Sequence, residues 1–370
     1  VVRSAAVKGQ VAVVGLGVMG ACTLWRLAER GAQAVGFEQF QPGHALGASH
    51  GETRIIRTAY YEGAEYVPLA QASFGLWREL EAATGARLLT MTGALMIGKQ
   101  ESHLVAGALK SARTHGLRHE LLDASAMARR YPQHRLREGD VALHESDAGV
   151  LKPEACVLAA LRRGRDLGAS VITGSPAPDL GELSASFDHV VVCAGAWLPR
   201  LLPGFRVEVE RQVMTWFAPR DVDEFRPERF PVFMRETPEG GDRFGIPAVH
   251  GDLVKVGIHH EGQPTDIETL DRTIHDSDRA RVEAYVAETL PGLQPQVVKA
   301  SVCMYSNTSD RHFLAGQVPG HPNVTVLGGF SGHGFKFAPV LGDAAADLAI
   351  EGRTEYPIEL FSPARALATA

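Results

Sequence analysis

The residues best suited to chemistry lie in short clusters toward the two ends of the chain. Gly15, Gly17 and Gly20 form a G-x-G-x-x-G run directly after the apolar segment Val11–Val14, and Glu38 follows eighteen residues after the last glycine. Gly15 permits a tight turn, Gly17 has no side chain to block a pyrophosphate, and Gly20 lets the next helix pack close to the strand. The start of that helix offers free N–H groups and a positive dipole end to phosphate. Glu38, at the end of the apolar strand Ala34–Phe37, can accept hydrogen bonds from ribose hydroxyls and disfavours a 2′-phosphate. The pattern reads as a dinucleotide site and does not separate FAD from NAD.

Seven lysines stand against thirty arginines, so each lysine is easy to inspect. Lys255 lies in Asp252–Ile258, where strand alternation puts Val254, Val256 and Ile258 on one face and Leu253, Lys255 and Gly257 on the other. It reads either as an edge-strand lysine facing water or as a cation turned into a site. Lys336 sits between Phe335 and Phe337, just after Gly332, His333 and Gly334. It is either a snorkelling lysine or a ligand-facing one beside glycines that let backbone approach. Arg54 and Arg57, three apart, would share a face in a helical turn. They need an anion or a polarised ring, or they form a surface pair with Glu62 and Glu65. Cys303, within Ala300–Tyr305, has the setting of a buried small hydrophobe. His50, His259 and His333 lack metal-binding spacing, so no metal site is expected.

The elements that must position these groups follow from periodicity. Helices are expected at Met19–Glu29, Tyr66–Ala83, Glu101–His115, Asp123–Arg130, Glu154–Leu167, Asp266–Leu290 and Pro339–Ile350. Strands are expected near Leu88–Ile97, at Val190–Ala194 and Asn323–Leu327, and alternately through 205–260; Gly149–Pro153 reads as a turn. Nucleotide-binding segments at both ends of an antiparallel block argue for interleaved domains. The expected division is 8–85, 145–204 and 300–365 for the dinucleotide, with 86–144 and 205–299 for the substrate.

The hydrophobic fraction of 45% and charged fraction of 22% are those of a soluble globular protein. A net charge of −6 gives no footprint for nucleic acid. No apolar run approaches the ~18 residues that span a bilayer, and Val1–Gln10 is too short and polar for a signal peptide. Cys22, Cys156 and Cys193 show no C-x-x-C spacing and read as packed thiols in a reducing, cytoplasmic compartment.

Ser49–Arg57, Tyr60–Gly63, Cys303–Tyr305 and Phe330–Phe337 together resemble the family of monomeric sarcosine oxidase and N-methyltryptophan oxidase, from Gln10 to Phe361. The resemblance implies an α/β fold with a Rossmann-like FAD-binding domain interleaved with an antiparallel-sheet substrate domain, a two-domain architecture of the glutathione-reductase and D-amino-acid-oxidase type. It implies a flavoprotein oxidase that converts an N-alkyl α-amino acid and O₂ to an imine and H₂O₂. FAD would be covalently attached through Cys303. Arg57 and Lys336 would bind the substrate carboxylate, with Glu62, Phe244 and Met234 also at the substrate. Arg54 would lie against the flavin, Lys255 would activate O₂, and His259 and Tyr305 would line the cavity. The cofactor would further touch Gly15, Gly17, Val18, Met19, Gly20, Glu38, Gln39, Ser49, His50, Thr53, Ala194, Gly195, Trp197, Gly332, His333, Gly334 and Phe335. The partners implied are a small secondary amino acid and O₂, for a monomer that binds neither nucleic acid nor membrane.

Two departures from the family pattern stand out. Ser170–His189 is shorter than usual, so part of the small sheet beside the nucleotide is expected to be trimmed. Phe244 falls where the resemblance places a pocket tyrosine, which questions a preference for glycine-sized substrates. An oxidase of a larger or cyclic amine (N-methyltryptophan, pipecolate, proline, a fructosyl amino acid) is the alternative. A nicotinamide-dependent dehydrogenase or a non-catalytic nucleotide-binding protein is the alternative of another class.

Overall fold

The computed structural model describes residues 8–367, so most of the N-terminal segment judged above for a signal peptide lies outside the described residues. Lys8–Val14 is the inner strand of a six-stranded sheet. Ala32–Glu38 and His189–Val192 pair with it in parallel. Ser170–Thr173 extends the first side, and His321–Gly328 followed by antiparallel Leu314–Val318 extends the second. Val11 and Val13 face one way, into a core with Leu24, Trp25, Val157 and Leu341 from the helices Val18–Glu29, Pro153–Asp166 and Ala338–Glu351. Ala12 and Val14 face the other way, against Leu198, Leu202 and Phe205. This two-sided burial explains the unbroken apolar run of the first strand.

The second sheet has nine strands and is mostly antiparallel. Glu208–Pro219 pairs along one edge with Leu293–Asn307 and along the other with Gln263–Thr265 and Val254–His259. Asp242–Ile246 and Val232–Glu236 come next, followed by Ala94–Lys99, Asp140–Glu145 and His119–Leu122. One pairing, Val232–Arg235 with Ala94–Ile97, is parallel. A separate three-stranded sheet has Gly149–Leu151 at its centre, antiparallel to Arg54–Ile56 on one side and Leu89–Met91 on the other. The architecture is the α/β one expected.

Several local readings are corrected. Gly149–Leu151 is a central strand rather than a turn; a Cβ on Gly149 would lie 2.2 Å from Thr90 O, so glycine serves close strand approach here. Helix forms only over Asp276–Thr289, because Asp266 and Asp271 accept the backbone N–H groups of Glu268 and Thr273 and hold turns instead. Arg54 is in a strand, not a helical turn. Lys255 is not on an edge: its strand lies between Glu208–Pro219 and Asp242–Ile246. The short Ser170–His189 segment still supplies an outer strand and a helix, Leu180–Ser186.

Candidate active site

The turn after Lys8–Val14 is shaped by its glycines. Gly15 has φ +85°, and a Cβ on Gly20 would lie 1.8 Å from Gly15 O. A Cβ on Gly17 would stand 3.2 Å from Ser49 Oγ, which accepts a hydrogen bond from Val18 N at 3.1 Å. Glu38 Oε2 accepts from Leu16 N at 2.8 Å and Oε1 from Phe40 N at 2.9 Å, with His44 Nε2 3.5 Å away. Burial raises the Glu38 carboxyl pKa, but His44 and the two N–H groups outweigh it and hold it below the usual carboxylate range.

From this turn a cavity of about 550 Å³ extends between the two large sheets. Its wall includes Gly15, Gly17, Val18, Met19, Glu38, Gln39, Ser49 and Thr53, then Ala194, Gly195 and Trp197, and Gly332, His333, Gly334 and Phe335. At its other end are Arg54, Arg57, Glu62, Met234, Phe244, Lys255, His259, Cys303, Tyr305 and Lys336. Two of the expected residues do not line it. Gly20 packs its helix against the turn. His50 is buried beside the wall, and burial together with Arg54 pushes its pKa down to about 4.

Strand register explains why distant residues meet. Trp216 and Ile246 flank Lys255, Phe244 and Met214 flank Gly257, and Gln212 opposes Cys303. A Cβ on Gly257 would lie 2.5 Å from the Phe244 ring, so the missing side chain leaves room for that ring. Lys255, only 2% exposed, donates to Gly51 O at 2.8 Å, Thr53 O at 3.2 Å and Thr53 Oγ1 at 3.4 Å. Its Nζ is 5.0 Å from the Trp216 ring centre. Burial and then Arg54 push its pKa well below the usual lysine value. The carbonyls it meets belong to a bent loop with Gly51 at φ +97° and Glu52 at φ +69°. Glu154 holds that loop, accepting from Gly51 N at 2.6 Å and Glu52 N at 3.2 Å.

Arg54 donates to Thr53 O and Ala48 O, and its Nη2 is 3.7 Å from Cys303 Sγ. Arg57 is buried, not on the surface, although Glu62 is its partner as the residue pattern suggested: Nη2 lies 2.7 and 2.6 Å from the two Glu62 oxygens. Burial works against its charge, Glu62 restores it, and the net direction is upward. Lys336 donates to His333 O at 2.7 Å and Tyr60 Oη at 3.3 Å. Burial and the neighbouring Arg57 push its pKa down to about 7. His259 Nδ1 is 3.0 Å from Tyr305 Oη, and burial with the adjacent His260 keeps the imidazole neutral. Gly332, at φ +78°, gives way to the Tyr305 ring, which a Cβ would meet at 2.5 Å.

This wall fits FAD. The glycine turn leaves space where a Cβ would clash, the ionised carboxylate of Glu38 lines the cavity beside that turn, and a thiol lines the far end. Sequence reasoning missed Glu154, Glu145, Met214, Trp216 and Tyr60. Glu145 Oε2 accepts from Thr58 N, Thr58 Oγ1 and Ala59 N, so it fixes the backbone just after Arg57. Glu154 carried a signal as an acid in the first turn after Pro153, and Tyr60 one as part of the Tyr60–Gly63 segment.

A family profile described as FAD dependent oxidoreductase matches residues 10–348. The chain is similar to monomeric sarcosine oxidase of Streptomyces avermitilis, 42% identical over 96% of this chain and 97% of that one. It is also similar to N-methyl-L-tryptophan oxidase of Salmonella arizonae, 32% identical over 97% and 99%. Among solved structures, NikD, described as an unusual amino acid oxidase essential for nikkomycin biosynthesis, superposes with a TM-score of 0.82 at 23% identity, covering 99% of each chain, and shares the fold.

Proposed function

The chain belongs to the FAD dependent oxidoreductase family, and from that premise we propose that it oxidises an N-alkyl α-amino acid, such as sarcosine or another N-methyl amino acid, with O₂ as the acceptor. The observation that carries this is the convergence of Arg57, Lys336, Lys255 and Cys303 on one cavity that begins at the glycine turn. Residues 8–85, 145–204 and 300–365 would hold FAD, and 86–144 with 205–299 would shape the substrate end. Bound FAD would supply the two-electron redox chemistry.

The protein's own groups supply orientation and charge. Arg57 offers a fork and Lys336 a point charge to the substrate carboxylate, with Glu62 as the counter-ion that the ligand joins or displaces. Neutral His259 and Tyr305 flank the amine without protonating it. Arg54 lies 3.7 Å from the sulfur of Cys303, the residue through which FAD would be tethered. Lys255 presents a cation to O₂, held in a frame of neutral oxygens. The names of the sarcosine oxidase relatives support a monomer, and three further buried free thiols support a cytoplasmic location. No helix among the described residues is long and apolar enough to cross a membrane.

Met234, Phe244 and Ile246 face the substrate end, which favours, as a second reading, an N-methyl amino acid with an apolar side chain. Peroxide release from a panel running from sarcosine to N-methyl aromatic amino acids ranks the two readings. Purified protein should absorb near ~450 nm, as flavin does, and stay yellow after acid precipitation. Cys303→Ala should release its FAD on denaturation. Complete release from the wild type would remove the tether.

A further inference from the structure

Tyr60 is fully buried and does not line the cavity, yet it touches both residues of the carboxylate clamp read above, on which this inference rests. The Arg57 guanidinium carbon lies 4.2 Å from the Tyr60 ring centre. Lys336 Nζ is 3.3 Å from Tyr60 Oη. The same hydroxyl is 2.7 Å from His333 Nδ1, and His333 Nε2 is 3.1 Å from Arg311 O. A carbonyl can only accept, so Nε2 carries the ring proton, Nδ1 accepts, and Tyr60 donates to it. The lone pairs of Oη are then directed to Lys336. One side chain thus turns its negative ring face to one cation and its oxygen to the other. Stacking on Tyr66, at 4.7 Å between ring centres, fixes the ring.

We propose that Tyr60 is a positioning residue that holds Arg57 and Lys336 as a convergent pair, and that a carboxylate entering the pair binds together with a proton taken up from solvent by Lys336. The step is an acid–base one: the Lys336 amine becomes ammonium, and nothing is oxidised. The groups facing Lys336 are Arg57, which opposes its charge, Glu62, which favours it, and the neutral contacts Tyr60 and His333. With burial added, the Lys336 pKa is pushed down to about 7. A bound carboxylate places negative charge beside it and raises that value. Below about 7 the lysine is already charged and binding takes up no proton. Above it, affinity should fall by up to about tenfold per pH unit until the bound value is passed.

Calorimetry of propionate binding to the holoenzyme, in buffers of low and high ionisation enthalpy, measures this without turnover, because propionate has no amine to oxidise. Proton uptake should be near zero at about pH 6 and approach one per site at about pH 8.5. Glu62→Gln removes the carboxylate paired with Arg57 and should leave the uptake in place. Lys336→Met should abolish uptake and weaken binding at least about tenfold. Tyr60→Phe keeps the ring under Arg57, loses the hydroxyl, and should move the pH midpoint of affinity down by about half a unit or more. Absent uptake in the wild type overturns the coupled proton and needs no variant to be informative. A Tyr60→Phe profile equal to wild type, in protein with full flavin content, overturns the role of Tyr60. Unchanged affinity in Lys336→Met instead overturns the clamp itself.

Discussion

Lys255 is the residue whose setting departs most from what its local sequence suggests. Its three hydrogen-bond acceptors are neutral, and no carboxylate oxygen is within hydrogen-bond reach among the described residues. Such a cage orients an ammonium without neutralising it, which suits a cation that must act on charge developing nearby. Lys255→Met keeps length and apolar bulk. It should leave anaerobic reduction by substrate within about tenfold, or ~1.4 kcal/mol of barrier, while slowing reoxidation by the scale of a lost oxyanion donor, about 3 kcal/mol. Stopped-flow traces separate the two half-reactions. Equal reoxidation in variant and wild type would make Lys255 a purely structural strand residue. Because burial and Arg54 depress its pKa, reoxidation in the wild type should slow, not quicken, as pH rises through that value.

At the scale of elements, the site depends on backbone approach as much as on side chains. Gly20→Ala would push a methyl group into Gly15 O, a backbone atom that cannot step aside. The helix Val18–Glu29 must then lift from the turn, at about 1–3 kcal/mol. Lower flavin content together with a lower melting temperature is the expected result, and normal flavin content would show that the helix has slack. The glycine turn, its strands and Glu38 were legible in the sequence because each depends on neighbours within thirty residues. The strand setting of Arg54 was not, since it is imposed by pairing with Leu151, almost a hundred residues away. The burial of Lys255 was hidden for the same reason: alternation assigns a face but does not reveal whether a strand lies at an edge. Glu145 gave no signal, and Tyr60 gave only its place in the Tyr60–Gly63 segment, because both act through groups brought to them only by the fold. The residues that the resemblance implied line one cavity, apart from Gly20 and His50, but the resemblance said nothing of what holds them.

For the molecule as a whole, buried imidazoles set the response to acid. His134 is stacked on Phe230 at 5.1 Å and edge-on to Phe233, and among the described residues neither ring nitrogen has a hydrogen-bond partner. Burial and then Arg235 push its pKa down to about 3, and burial takes His189 to about 4. A histidine depressed in the folded state contributes stability above its unfolded value of about 6.5 and loses it as pH falls, at up to ~1.4 kcal/mol per pH unit per residue. Depressed carboxylates such as Glu38 and Asp343 act in the same direction at lower pH. Denaturant unfolding should therefore show stability falling from about pH 6.5 downward, and His134→Phe should flatten the first part of that fall. An unaltered slope in the variant would assign the acid response to other groups.

The order of strands in the six-stranded sheet also dictates when, during synthesis, the site can exist. Lys8–Val14 is synthesised well before its neighbour His189–Val192, and His321–Gly328 follows later still. Lys336 is among the last of the cavity residues to emerge. A nascent chain thus carries the glycine turn without the walls around it until His189–Val192 and the segments after it have followed. Capture of the cofactor is accordingly a late event, and the long closures it waits for make the folding of this half slow. A chain stopped at residue 299 should be colourless when purified in the presence of FAD, however much helix it contains. Supplying the missing 300–367 segment as a separate peptide should restore the yellow colour only if the two pieces are folded together.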